Sequence, residues 1–236
     1  MQKILGALRK ASQKYDLIED GDKICVGLSG GKDSLTLLSS LARYQKFSPE
    51  KFELVAVAVD LTNGKNDYSL LKEFCQSLEV YLEVIPSNVF EVVFDVRKEK
   101  NPCSLCANMR RGLLNSKAKE LGCNKVALGH HKDDMIETFL MSLFFEGRFS
   151  SFKPKSYLSK MDLYAIRPLI FCDEDDIIRV SKDYPVLHNP CPADKQTQRE
   201  NAKSILKDLD QLYPNCKEKI FNAIIHTERY NLFDKM

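Results

Sequence analysis

The chain has 236 residues, 44% hydrophobic and 29% charged, which suits one α/β domain with a helical appendage and a sizeable core and excludes a disordered, fibrous or low-complexity protein. With 35 Lys and Arg against 33 Asp and Glu the net charge is +2, so a polyanionic partner has to be held by a local basic surface. Apolar runs such as residues 54–59 and 139–145 are too short to cross a bilayer, no membrane partner is expected, and residues 1–17, with Lys3, Arg9, Lys10 and Lys14 among single apolar residues, do not read as a secretory signal. The eight cysteines then point to a reducing compartment, the cytoplasm, where clustered thiols bind metal more often than they form disulfides.

Short β-branched runs alternate with segments of helical period, the pattern of repeated βα units around a parallel sheet. After an N-terminal helix, a strand is expected over residues 23–28, a helix over 34–44 and a second strand over 52–60, ending on Asp60. A polar turn at 62–67, a helix over 69–78 and a strand over 80–85 follow. The apolar spacing predicts a helix over 109–121 stopped by Gly122, then a strand over 125–129, a helix over 133–145, a last strand over 165–170 and a helix over 174–184. Strand signals stop near residue 189, and helices are expected over 198–212 and 217–229. The expected fold is α/β, a doubly wound parallel sheet in one domain over 1–188 with a helical tail over 189–236, and its ligand crevice lies at the carboxyl ends of the strands.

Between the first strand and its helix stand Ser29, Gly30, Gly31, Lys32, Asp33 and Ser34. Two glycines let the backbone turn so that N–H groups converge where a helix begins, a cradle for phosphate. Lys32 adds a positive charge, Ser29 and Ser34 add hydroxyls, and Asp33 makes sense beside phosphate when a cation such as Mg2+ bridges them. The spacing from Gly27 is one residue too short for a Walker A motif, and Asp33 stands where that motif has Ser or Thr. The hexapeptide resembles the loop of the N-type ATP pyrophosphatases, which split ATP into AMP and pyrophosphate by adenylating a substrate, and it implies ATP and an adenine nucleotide alpha hydrolase-like version of the fold.

A second turn carries Gly129, His130, His131, Lys132, Asp133 and Asp134 ahead of a helix. Asp133 or Asp134 can cap that helix, with Glu137 completing a capping box. Capping leaves His130, His131 and Lys132 unexplained, and the string is similar to the G-H-H-x-D-D segment of enzymes with this loop that modify tRNA. The resemblance implies that Asp134 holds magnesium or the reacting base and that Lys132 holds phosphates, with Asp33 as the third catalytic candidate and Asp60, Gly129 and His130 joining the loop in binding nucleotide. A His-His-Asp zinc site is the alternative.

Cys103 and Cys106 form a C-x-x-C at the start of a helix, where both sulfurs can face one ion and helix N–H groups favour thiolates. Cys191, between Pro190 and Pro192, is a third thiol far away in sequence. Three thiolates without an obvious fourth suit an iron–sulfur cluster with an open iron better than a closed structural zinc site. Cys25, Cys75, Cys123, Cys172 and Cys216 read as ordinary buried or tail thiols.

Pro102 to Cys106, Arg110-Arg111-Gly112, the turn at 129–134, Arg167-Pro168-Leu169 and Asn189-Pro190-Cys191 run in the order of the tRNA 2-thiocytidine synthetase family, which this chain resembles from Lys23 to about Arg199. The resemblance implies an ATP- and [4Fe-4S]-dependent tRNA thiolase, usually a homodimer, fed by a cysteine desulfurase or by inorganic sulfide. The C2 oxygen of an anticodon-loop cytidine is adenylated, and sulfur carried on the cluster of Cys103, Cys106 and Cys191 replaces it. The chain departs from the family where Pro192, Ala193 and Asp194 follow Cys191 in place of a second C-x-x-C, and again over residues 61–68.

Residues 148–160 hold Arg148, Lys153, Lys155 and Lys160 with no acid, interleaved with Phe149, Phe152 and Tyr157. Rings among cations suit splayed RNA bases, and a solvated loop over a small apolar cluster is the plain alternative. Arg110, Arg111 and Arg167 extend the expected RNA surface. The rival functions are a lysidine synthetase-like enzyme, thiolation of another nucleoside, and a non-catalytic nucleotide- or cluster-binding regulator.

Overall fold

The computed structural model describes residues 1–64, 66–97, 102–187 and 198–230. Helix α1 (Gln2–Tyr15) buries Ile4, Leu8 and Ala11, one stripe at helical spacing. The chain then alternates β1 (Lys23–Gly27), α2 (Lys32–Gln45), β2 (Glu53–Asp60), α3 (Ser69–Ser77) and β3 (Tyr81–Pro86). A π-helical turn (Glu91–Val96) precedes α4 (Pro102–Glu120), β4 (Lys125–Ala127) and α5 (Lys132–Met141). After a second π-helical turn (Ser142–Glu146) come β5 (Lys155–Leu158), β6 (Leu163–Ile166), α6 (Glu174–Val180), α7 (Gln198–Leu212) and α8 (Cys216–Ile225).

The six strands form one sheet in the order β3-β2-β1-β4-β6-β5. All neighbours are parallel except β5, which runs antiparallel to β6 at the edge. Because the chain leaves β1 toward β2 on one side and returns to place β4 on the other, the strand order reverses between β1 and β4. Ligand crevices of open parallel sheets form at such a reversal, outside the carboxyl ends of the strands. The chain comprises two compact units, Met1–His131 with Pro154–Ala193, and Lys132–Lys153 with Asp194–Met236. The first holds the whole sheet; in the second, α5 packs with α7 and α8. No helix among the described residues is long and apolar enough to cross a membrane.

Central strands read as continuous apolar runs because both faces are covered: Ile24, Cys25 and Val26 of β1 are fully buried. Several expected elements differ in their bounds: the helices expected over 133–145, 174–184 and 217–229 end at Met141, Val180 and Ile225, and the strand expected over 125–129 ends at Ala127. The strand expected over 165–170 is β6, shifted to Leu163–Ile166, and it pairs with β5, whose Lys-Ser-Tyr-Leu lacks the β-branched residues that mark a strand. Apolar spacing marks α4 only from residue 109, but the helix starts at Pro102, in keeping with the C-x-x-C read at a helix start; its first turns carry thiols and polar residues in place of an apolar stripe, and proline fits a first helical position.

Near the amino ends of β1 and β4, Lys125 is 1% exposed. Its ammonium lies 2.5 Å from Glu19 and 2.6 Å from Asp22, and Asn124 donates to Asp22 at 2.7 Å. A buried ammonium is tolerated only with such partners, and removing it strands the buried Asp22 carboxylate. Lys125→Ala is expected to lower stability by about 3 kcal/mol, read as a fall in the denaturant midpoint at unchanged slope.

Candidate active site

The turn from β1 into α2 is built by its own hydroxyls. Ser29 N–H donates to Ser34 Oγ at 3.2 Å, Gly31 N–H donates to Ser29 Oγ at 3.4 Å, and Ser34 Oγ donates to the Gly31 carbonyl at 3.0 Å. Gly30 adopts φ +78°, where a side chain is strained, and a Cβ there would also meet Leu187 at 2.8 Å. Leu187 N–H donates to the Gly30 carbonyl at 3.0 Å, so the segment after α6 braces the cradle.

Lys32 Nζ lies 2.9 Å from Asp33 and 3.1 Å from Glu174 at the start of α6. Burial works against its charge, but the two carboxylates outweigh burial and raise its pKa. Glu174 escapes a sequence reading because it sits among Asp173, Asp175 and Asp176 as one acid of an ordinary helix start. From the loop after β4, the buried His131 places Nε2 3.6 Å from Asp33. The first unit thus brings Ser29, Gly30, Gly31, Lys32, Asp33, Ser34, Gly129 and His131 to one place. His131 supplies the imidazole beside Asp33.

Gly129 makes this convergence possible. A Cβ there would lie 3.1 Å from the Asp33 carbonyl carbon and 3.1 Å from the Ser34 nitrogen, both backbone atoms. Asp60, 2% exposed at the end of β2, accepts from Thr62 N–H at 3.0 Å, Thr62 Oγ1 at 2.7 Å and Gly64 N–H at 2.5 Å. Burial raises its pKa, but these hydrogen bonds outweigh burial and hold the carboxyl below its ordinary range. Asp60 therefore ties down the loop that follows β2.

In the second unit, the charges at the start of α5 meet the helices of the tail. Lys132 pairs with Glu218 and lies 5.4 Å from the Phe221 ring centroid, and Asp133 pairs with Lys217. Arg199 lies 2.9 Å from Asp134 and 3.1 Å from Glu137. Burial raises the Glu137 pKa, against the pull of Arg199. The acids expected to cap α5 are thus drawn into ion pairs with tail cations, which sequence spacing cannot foresee because the partners lie more than sixty residues away.

Cys103 is exposed and Cys106 half-buried, one turn apart on α4, and neither forms a disulfide. Two thiols one helical turn apart at a helix start suit two ligands of an iron–sulfur cluster. Cys191, the expected third ligand, and Asp194 lie outside the described residues, and no group of three or more His, Cys, Asp and Glu among the described residues is arranged for a metal ion. Cys25, Cys75, Cys123 and Cys172 are buried, and Cys25 and Cys123 belong to one apolar cluster.

Of the residues expected at an RNA surface, Arg110, Arg148 and Lys153 are exposed. Arg111 donates to its own helix, at Ala107 and Asn108. Burial and the nearby Arg111 guanidinium push Arg167 down to about 10. Lys155 is committed elsewhere: it donates to the Asp16 carbonyl at 2.6 Å and pairs with Glu19 at 3.1 Å. Tyr157 packs on Tyr164 across the β5–β6 pair, with centroids 5.0 Å apart.

A parallel sheet with a glycine-turned anion cradle beside its strand-order reversal defines a nucleotide-binding α/β protein, and a family model described as a PP-loop domain matches residues 4–189. A tRNA-cytidine(32) 2-sulfurtransferase of Vibrio vulnificus is 39% identical over 95% of this chain and 76% of its own length. That of Aliivibrio fischeri is 38% identical over 93% and 75%. The chain belongs to the tRNA-cytidine(32) 2-sulfurtransferase family of PP-loop proteins. Its fold is shared by the U34-tRNA thiolase NcsA of Methanococcus maripaludis, solved with its [4Fe-4S] cluster, at TM-score 0.75 and 24% identity over 98% of this chain and 80% of that one. The NH3-dependent NAD synthetase of Campylobacter jejuni superposes at TM-score 0.52 and 17% identity, covering 100% and 97%.

Gly129→Ala is expected to push the cradle backbone aside, lowering stability by about 1–3 kcal/mol and weakening ATP binding, measured by thermal melts with and without nucleotide. Asp60→Asn is expected to lose about 1–2 kcal/mol at pH 7. Because folding lowers the Asp60 pKa from its ordinary 3.8, its contribution is present above that value and fades as pH falls through the lower folded value, so the gap between variant and parent in denaturant titrations closes in acid.

Proposed function

We propose that this protein thiolates C2 of an anticodon-loop cytidine in tRNA, using ATP to activate the base oxygen. The reading rests on one observation above the others: a single compact unit, in a chain 39% identical to tRNA-cytidine(32) 2-sulfurtransferases, carries both the cradle at 29–34 and the thiol pair Cys103 and Cys106.

The backbone N–H groups of Gly30 to Ser34 and the hydroxyls of Ser29 and Ser34 bind the ATP phosphates at the amino end of α2, where the helix dipole favours an anion. Lys32, held charged by Asp33 and Glu174, adds its ammonium. Asp33 would bind Mg2+, and its proximity to His131 supports a polar site there. By the family resemblance Lys132 is the residue assigned to phosphate and Asp134 to metal or base, and Asp60 shapes the loop at the end of β2. The cradle presents the α-phosphorus to the C2 oxygen; adenylation expels pyrophosphate and turns a poor leaving oxygen into AMP. Arg110, Arg111, Arg148, Lys153 and Arg167 hold the RNA backbone.

Cys103, Cys106 and Cys191 are the thiols that would hold a [4Fe-4S] cluster, which when bound supplies sulfur chemistry at an open iron. The sulfur comes from a cysteine desulfurase or from inorganic sulfide, and the protein acts as a homodimer. Cys106→Ala is expected to abolish thiolation and bleach the brown absorbance of anaerobically prepared protein while leaving ATP binding in place. Nucleoside mass spectrometry on tRNA from cells lacking the gene should show loss of 2-thiocytidine; a colourless parent protein carrying stoichiometric zinc, or unchanged 2-thiocytidine, would overturn the reading.

A further inference from the structure

The second unit holds a cleft that the nucleotide and sulfur chemistry does not use. Helix α5 ends in the π-helical turn Ser142–Glu146, and Gly147 at φ +63° turns the chain back so that Arg148 N–H donates to the Ser142 carbonyl at 3.2 Å. The turn leaves a cleft of about 300 Å3 walled by Met141 and Phe145 and edged by Ser142, Glu146 and Ser150. That is the lower end of the range for small-ligand sites, room for one flat ring system and too little for a helix of a partner protein.

Three large rings within six residues face solvent: Phe144 is 51% exposed, Phe145 61% and Phe149 59%. Phe149 also packs against Phe139, with centroids 6.0 Å apart. Aromatic surface left in water with cations around it fits nucleobases, which stack on rings whatever their sequence. Arg148 and Lys153 are exposed on the same segment, and Arg199 donates to Thr138 Oγ1, on the cleft lining, at 3.2 Å. The polar edge narrows the ligand further. Glu146 is exposed, with the Ser142 hydroxyl 3.4 Å from its Oε2, and a carboxylate can only accept hydrogen bonds, so it selects a ring with amino donors. A lipid tail or an aliphatic side chain would gain nothing from that carboxylate.

We infer that this cleft captures one unpaired nucleobase of the RNA substrate, separate from the base that reacts, with Phe145 stacking on its face and Glu146 accepting from its exocyclic amino group. The inference rests on the tRNA reading above and adds a second point of grip on a single-stranded loop. Cytosine, adenine or guanine is favoured over uracil, which lacks an exocyclic amino group.

Full-length protein is irradiated at short wavelength with unmodified tRNA, and crosslinked peptides are mapped by mass spectrometry; crosslinks are expected on Phe145 or Phe149. In parallel, Phe145→Ala is titrated with an anticodon stem-loop and with a blunt RNA duplex. Affinity for the stem-loop should fall about ten-fold and that for the duplex should hold, while Phe145→Trp, which keeps a stacking face at this exposed position, binds like the parent. Glu146→Gln should narrow the preference for amino-bearing loops over loops of uracil. The inference is overturned if Phe145→Ala binds the stem-loop as the parent does, if crosslinks fall only outside residues 139–153, or if Phe145→Ala instead separates a dimer into monomers at unchanged RNA affinity, which would make the patch a contact between copies. Parent protein that binds no tRNA overturns the tRNA reading and the cleft together, whereas normal binding by parent and variant alike overturns the cleft alone.

Discussion

The backbone of Asp33 and Ser34 occupies the space where residue 129 would carry a side chain, and this close approach is the constraint on which the nucleotide site depends. It lets the loops that leave β1 and β4, adjacent strands paired in parallel register, lie against one another at the carboxyl end of the sheet. Helix α2 then starts with its N–H groups converging on the cradle, and His131 reaches Asp33. A methyl group at 129 would press on the Asp33–Ser34 backbone and shift the two turns against one another by a few tenths of an ångström.

Charge is handled differently at the two ends of the sheet and in the tail. At the amino ends, Lys125 is neutralised by Glu19 and Asp22 in a buried cluster whose role is structural. At the carboxyl ends, Lys32 sits between Asp33 and Glu174 and keeps its charge while half-buried, which suits a group that has to meet phosphate. In the second unit, Lys132, Asp133 and Asp134 are each paired with a residue of the tail, so the charged start of α5 is set by helices that a local reading treats as an appendage.

Features legible in the sequence are those written in local spacing. The strand, glycine turn and helix at 23–45 and the strand and turn at 125–131 can be read because a sharp turn needs glycine and a buried parallel strand needs an apolar run. The β5 strand and the aromatic cleft after α5 were not legible, because Lys155 to Leu158 carry no periodic apolar signal and a π-helical turn has no spacing signature of its own; the start of α4 was marked by its C-x-x-C and not by apolar spacing. Lys155 shows the same limit for surfaces: a basic run marks candidates, but Glu19 and the Asp16 carbonyl had already claimed that ammonium.

By itself the sequence determined the α/β class, the glycine turn, the thiol pair and the family to which the chain belongs, because each is written in local spacing or in the order of short motifs along the chain. Only the tertiary structure decided that Glu174 holds Lys32, that His131 faces Asp33 and that Arg199, Lys217 and Glu218 receive the charges at the start of α5. Those partners lie far apart along the chain, and a side chain's electrostatic surroundings are set by the packing of whole elements, which no local spacing records.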